Sequence, residues 1–146
     1  MQTFYTNITS CIKNNNWITR AFPVSRGIRQ GCPISALLFV MVVEVMATAI
    51  RQNTDIHGII LPDTEGTEAK ISQLADDTTI FVRDKKSAQM ALKTIIDFGQ
   101  IAGPKLNESK TIGVWLGSLK SSDEQICNIQ WTNKPVKALG IFLDMI

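Results

Sequence analysis

The first 43 residues of this 146-residue chain contain no aspartate or glutamate, yet Lys13, Arg20, Arg26 and Arg29 all fall there. The remainder is slightly acidic, so a net charge of only +2 conceals a basic N-terminal flank. A basic flank beside a later acidic cluster suits a site that holds phosphates and a metal together, and it equally describes a basic surface. Histidine is almost missing: His57 stands alone, which excludes a histidine-rich metal site and argues against a serine–histidine hydrolase. Cysteine is scarce too. Cys11, Cys32 and Cys127 are odd in number, far apart and without C-x-x-C spacing, so they fit reduced intracellular thiols better than a disulfide frame or a zinc site. Met1 is followed by polar residues, and no signal peptide is expected. The apolar run from Ala36 to Ala47 is short for a membrane span and contains Glu44. A buried helix of a soluble domain is the expectation, with no membrane partner.

What is present is enough for one compact domain covering residues 1–146. Hydrophobic residues make up 45% and charged residues 19%, so the chain can bury a core and is not compositionally disordered. There is no internal repeat. Phe4 to Ile12 reads as a helix remnant and Trp17 to Val24 as a strand whose Pro23 lies near a sheet edge. Pro33 opens a long helix, Ser35 to Gln52. Strands are expected at Ile59 to Leu61 and Lys70 to Leu74, around a polar turn at Asp63 to Gly66, and again at Thr78 to Arg83. Ser87 is the expected cap of a helix whose Ala88, Ala91, Leu92, Ile95 and Ile96 follow helical spacing, stopped by Gly103-Pro104. Thr111 to Leu116 and Ala138 to Leu143 complete the strands. Helices and strands without a strict alternating repeat predict an α+β fold.

Three segments carry candidate chemistry. In Leu74-Ala75-Asp76-Asp77, two adjacent carboxylates sit between apolar segments. At mid-strand they would point to opposite faces, whereas a tight bend lets both reach one region. Like charges held that close repel, and a magnesium ion with its preference for hard oxygen ligands resolves the conflict. A solvated acidic turn has the same composition. The segment Arg26 to Ser35 places two glycines and Arg29 before a helix N-terminus, where backbone N–H groups and the macrodipole favour phosphate. Gln30 offers an uncharged hydrogen bond to sugar or base. An ordinary loop-to-helix junction remains open for it. In the basic loop from Gly103 to Thr111, Lys110 can neutralise a phosphate or donate a proton, or simply be solvated.

Read in order, these segments resemble the reverse transcriptases of non-LTR, LINE-type retrotransposons. Arg29-Gln30-Gly31-Cys32-Pro33-Ile34-Ser35 is similar to that family's RQGCPLS signature, and Ala75-Asp76-Asp77 to its aromatic-Ala-Asp-Asp box. Lys105-Leu106-Asn107 with Lys110-Thr111 matches its KLN-x-x-KT segment, and Lys137 to Ile141 a short strand near the primer grip. The resemblance spans residues 26–143. It implies part of a right-hand polymerase palm, an antiparallel sheet packed on helices, with fingers and thumb absent. The implied activity is that of an RNA-directed DNA polymerase, a nucleotidyltransferase extending a DNA primer on an RNA or DNA template from deoxynucleoside triphosphates. By motif, Asp76 and Asp77 are implied ligands of Mg²⁺, with Mn²⁺ as a substitute, and Arg29, Gln30 and Gly31 border the nucleotide. Lys110 is the implied acid near the pyrophosphate. An intracellular location, in nucleus or cytoplasm, follows from the same likeness.

Three positions depart from the pattern. Leu74 replaces the usual Phe or Tyr, Ala36 a proline, and Pro104 a leucine. A further catalytic aspartate that the family carries upstream of Arg-Gln-Gly has no counterpart here, because nothing acidic precedes Glu44. The expectation is therefore a fragment inactive alone, working with the fingers, thumb and endonuclease regions of a parent polyprotein. A catalytically dead remnant that binds nucleic acid weakly, or a small α+β interaction module, are the competing readings.

Overall fold

The computed structural model describes residues 7–24, 31, 33–138 and 141–143. The chain divides into two compact units, Met1–Met41 and Val42–Ile146.

An antiparallel ribbon organises the first unit. Strand β1 (Thr9–Ser10) pairs with β4 (Phe22–Pro23), and β2 (Lys13–Asn14) with β3 (Trp17–Ile18). At its tip, Asn15 and Asn16 have φ of 42° and 65°. Two successive left-handed residues match the twist of a two-residue hairpin, and asparagine enters that region more readily than most side chains. The register slips by one along the ribbon, since Lys13 faces Ile18 while Ser10 faces Phe22. The extra residue on the returning strand is a bulge opposite Cys11. Thr19 ties the strands below the tip by donating its N–H to Ile12 O and accepting from Ile12 N, each at 2.9 Å. The helix expected over Phe4 to Ile12 is thus corrected in its described part, where Thr9 and Ser10 are extended and paired. The strand expected over Trp17 to Val24 is two short strands separated by the bulge.

Helix α1 (Pro33–Gln52) starts at its proline, a residue whose missing N–H costs nothing in a first turn. Apart from Ser35 in the first turn, burial is found in its C-terminal half, at Met46, Ala47 and Ile50. Leu37, Val40, Met41 and Val45 are exposed. Among the described residues α1 alone is long and apolar enough to cross a membrane by length and composition. Glu44 and Arg51 pair on its surface at 2.6 Å, and the hydrogen bond from Arg51 holds the Glu44 carboxyl below its ordinary range. At the C-terminal end, Lys70 Nζ donates to the carbonyls of Arg51 (3.2 Å) and Asn53 (2.9 Å), placing a cation where the helix dipole is negative.

The second unit is assembled around helix α2 (Lys85–Ala102). One side of α2 meets Met46, Ile50 and Ile56 through Ala91, with Val43, Ile71, Ile80 and Phe98 around them. Its other side, through Ala88 and Leu92, meets Trp115, Ile126 and Ile129. Strand β5 (Ile59–Ile60) pairs with β6 (Glu68–Ala69), and β7 (Ile71–Leu74) with β8 (Asp77–Ile80), both antiparallel. Strand β9 (Ile112–Val114) pairs in parallel with β10 (Gln130–Thr132), and β11 (Val136–Ala138) with β12 (Ile141–Leu143) antiparallel. The α+β expectation is met. Among the described residues the strands form separate two-stranded pairs, five antiparallel and one parallel.

The β9–β10 pair was not visible in the sequence. Trp131 lies opposite Gly113 and stacks on Trp115 with ring centroids 4.2 Å apart, while its Nε1 donates to Ile126 O at 2.9 Å. Gly113 leaves room for that ring, since a Cβ there would overlap it. Lys85, paired with Glu124, lies 5.7 Å above the Trp115 ring. Gly103 ends α2 as expected, with φ of 95° and its N–H on Gly99 O.

The start of α2 corrects the expected cap. Asp84, not Ser87, is the N-cap, and its Oδ1 accepts from Ser87 N at 2.7 Å. Ser87 Oγ donates to Asp84 Oδ2 and accepts from His57 N, so one buried hydroxyl joins the helix start to the preceding loop. Burial raises the Asp84 carboxyl, but the hydrogen bonds from Ser87 outweigh it and the net shift is downward. Replacing Asp84 by Ala is expected to cost about 1–2 kcal/mol, as N-cap removal does. A depressed carboxyl contributes stability above its ordinary value of 3.8 and loses it as pH falls below. Urea unfolding of both proteins should therefore give a difference that is full near neutrality and shrinks below pH 3.8.

Candidate active site

The acidic pair sits where β7 turns into β8. Leu74 and Asp77 are Cα partners, so Ala75 and Asp76 form a two-residue connection. Ala75 has φ of 53°, and this left-handed residue reverses the chain within two positions. The cross-strand pairs then sort the faces. Ile71 lies opposite Ile80 and Gln73 opposite Thr78, with Ile71 and Ile80 packed into the core. Strand alternation places Ser72, Leu74, Asp77 and Thr79 on the other face. Asp77 thus shares the outer face with Leu74, which is 61% exposed and directly across from it. Asp76 occupies the turn itself. Gln73 Nε2 donates to Thr78 Oγ1 at 3.4 Å and spans the strands one step below.

Both carboxylates are exposed, and among the described residues neither is engaged in an ion pair or a side-chain hydrogen bond. They are adjacent oxygen donors left free by the fold, a chemistry that fits a hard divalent cation. No group of three or more metal-ligating side chains comes together among the described residues.

Lys110 lies in a loop organised by Asn107. The Asn107 carbonyl accepts from Thr111 N (2.9 Å), Thr111 Oγ1 (2.8 Å) and Lys110 N (3.1 Å), and Asn107 Oδ1 accepts from Ser109 Oγ at 2.8 Å. This turn fixes the backbone of Lys110 and leaves its side chain exposed, with no partner among the described residues. Asn107 was singled out in the sequence only as part of a motif, and its turn-forming role is the kind that Asn side chains perform. Gly31 is exposed with φ of 81°. Arg29 and Gln30 lie outside the described residues.

A family model described as reverse transcriptase (RNA-dependent DNA polymerase) matches residues 1–143. The chain belongs to that family. It is 27% identical over 145 residues, 98% of its own length, to the Transposon TX1 uncharacterized 149 kDa protein of Xenopus laevis. It is 25% identical over 129 residues, 88% of its length, to the Retrovirus-related Pol polyprotein from type-2 retrotransposable element R2DM of Drosophila melanogaster. The chain spans 11% of the length of each of these relatives. The names of these relatives, a transposon protein and a Pol polyprotein of a retrotransposable element, agree with the resemblance carried by the motifs.

The strained turn yields a direct test. Ala75→Gly should stabilise the chain by up to about 1 kcal/mol, because glycine adopts a positive φ without a Cβ clash. Ala75→Val should destabilise it by a similar or larger amount. Thermal unfolding of the two variants beside the parent checks the sign of both.

Proposed function

We propose that this chain is part of the palm of an RNA-directed DNA polymerase, in which Asp76 and Asp77 are ligands for Mg²⁺ or Mn²⁺. The observation that carries the reading is the free acidic pair on the β7–β8 turn of a reverse transcriptase family member. A divalent cation held there would neutralise charge on phosphate oxygens during nucleotidyl transfer. The residues of the chain supply the rest by position. Asp77, anchored in the ladder, presents its carboxylate from a fixed backbone, and Asp76 presents one from the adjoining turn. Leu74, across from Asp77, offers a branched aliphatic surface where the family pattern has an aromatic ring. Arg29, Gln30 and Gly31 are assigned to the incoming nucleotide, through a guanidinium, a carboxamide and a close-approaching backbone. Lys110 Nζ is the proton donor assigned to the departing pyrophosphate, held on the turn that Asn107 organises.

The substrates of this reading are a DNA primer, an RNA or DNA template and deoxynucleoside triphosphates. With two adjacent carboxylates and no acidic residue before Glu44, the third metal ligand comes from elsewhere in a longer polypeptide. That polypeptide also supplies the fingers, thumb and endonuclease regions, and works inside the cell, in nucleus or cytoplasm. The isolated chain is then inactive.

Calorimetry with Mg²⁺ and with Mn²⁺ tests the metal assignment. Asp76→Asn and Asp77→Asn should each weaken binding by roughly tenfold or more, equivalent to about 1.4 kcal/mol. Variants that bind as the parent does would remove the carboxylates from the site. Primer extension by the isolated chain would refute its inactivity.

A further inference from the structure

Trp17 is 81% exposed at the tip of the N-terminal ribbon. Tryptophan is mostly buried in folded proteins, and this ring is held out on a two-stranded element. Its cross-strand partner is Asn14, which is small and uncharged. Alternation places Trp17 with Ile12 on one face and Lys13 with Ile18 on the other, with Ile12 and Ile18 also exposed. The side chains of Lys13 and Arg20 have no ion-pair or hydrogen-bond partner among the described residues. No acidic residue occurs anywhere in the first 43 positions to neutralise them.

We propose that this ribbon is a contact for single-stranded nucleic acid, with Trp17 stacking on an unpaired base and Lys13 and Arg20 meeting the phosphates on either side. The inference rests on the polymerase reading for its context and on the ribbon for its residues. An exposed indole offers a π-face, and an unpaired base has one free to match, whereas paired bases present only their edges. A ribbon two strands wide is only about 5 Å across the strands, so a cation leaving the opposite face, as Lys13 does, reaches round to a backbone lying along it. Unpaired cations without a nearby carboxylate complement a polyanion. A protein partner would have to leave both charges unmatched or bring acids of its own. The bulge opposite Cys11 sharpens the twist and sets the tip at its own angle, a device often found where a strand must present a side chain.

The test uses the full chain and fluorescence anisotropy with a labelled 20-nucleotide single strand and a blunt duplex of the same length. The parent should prefer the single strand. Trp17→Ala should weaken that binding by about 5- to 100-fold, while Trp17→Phe, which keeps a ring, stays within about threefold. The Lys13→Ala/Arg20→Ala variant should flatten the dependence of log affinity on log salt by about 1.4, or 0.7 per phosphate contact. All these side chains are exposed, so thermal transitions should match the parent. Absence of binding by the parent, preference for duplex, or unchanged affinity in Trp17→Ala would each overturn the proposal. So would a Trp17→Ala variant that loses self-association, by sedimentation, while keeping its affinity for the oligonucleotide. Magnesium calorimetry on Asp77→Asn separates the two readings. A metal response that depends on Asp77, beside an affinity indifferent to Trp17, leaves the polymerase reading standing and removes only the ribbon.

Discussion

The pairing of Ile71 with Ile80 under helix α2 is the contact on which the acidic turn depends. Side chains on a strand alternate, so burying these two isoleucines on one face forces Leu74 and Asp77 onto the other. A slip of one residue in either strand would drive Asp77 toward the apolar side and lift the isoleucines into water. Burying an ionised carboxylate without a partner is far more costly than losing one aliphatic contact. The core therefore fixes where the carboxylates are, although neither touches it. Ala75 absorbs the strain of the reversal with its positive φ, in a turn too short to wander.

Helix α2 makes that pairing possible because it is wetted on neither of two sides. Ala91 lets Met46, Ile50 and Ile56 close on one side, and Ala88 with Leu92 receives Trp115 and Ile129 on the other. Small residues at the contacts bring the helix near its neighbours, and Val82 contributes to both clusters. Orientation is set by polar bonds at the ends of the segments. The Ser87 hydroxyl and the Asp84 carboxylate hold the start of α2 to His57, and Lys70 holds the end of α1 to the strand that leads into β7. Glu68 accepts from Gly58 N at 2.7 Å and lies 3.4 Å from Lys70, so that lysine is itself held in place. The hydrogen bond from Gly58 draws the Glu68 carboxyl below its ordinary range. Aliphatic burial provides the cohesion of this unit, and a few charged groups choose its register.

The parts of the fold legible in the sequence were those with enough length to display a period. Helix α2 repeats its apolar residues over more than two turns, and α1 is a continuous apolar run behind a proline. The bend at the acidic pair was expected because two aspartates stand between apolar segments, although composition alone left a solvated turn equally open. Strands of two or three residues display no usable period, which is why Thr9–Ser10 was read as helix and Gln130–Thr132 passed unnoticed. The Asp84 cap was missed because Ser87 is also a capping residue. Three-dimensional position made it the third residue of the helix, where its N–H and hydroxyl both serve Asp84. A parallel pair such as β9–β10 depends on residues 112 and 130 meeting across a long connection, and no local pattern encodes that. The motif-bearing loop around Gln30 lies outside the described residues, so its reading still rests on its chemistry alone.

Two groups of exposed apolar side chains, on α1 and on the ribbon, differ in a way that has a physical meaning. On α1, Leu37, Val40, Met41 and Val45 recur at helical spacing, as residues meant for a packed face do. Such a stripe is stabilised by any adequately shaped apolar surface, and within the proposed reading the longer polypeptide provides one. On the ribbon, Trp17 and Ile12 stand with Lys13 and Arg20 around them, on an element too thin to enclose a core of its own. An apolar surface could cover Trp17 and Ile12, but it would make no use of Lys13 on the opposite face or of Arg20. A phosphate backbone with unpaired bases satisfies the ring and the charges together. The same criterion of complete satisfaction that puts Asp77 outside the core thus favours nucleic acid over an apolar partner for the ribbon.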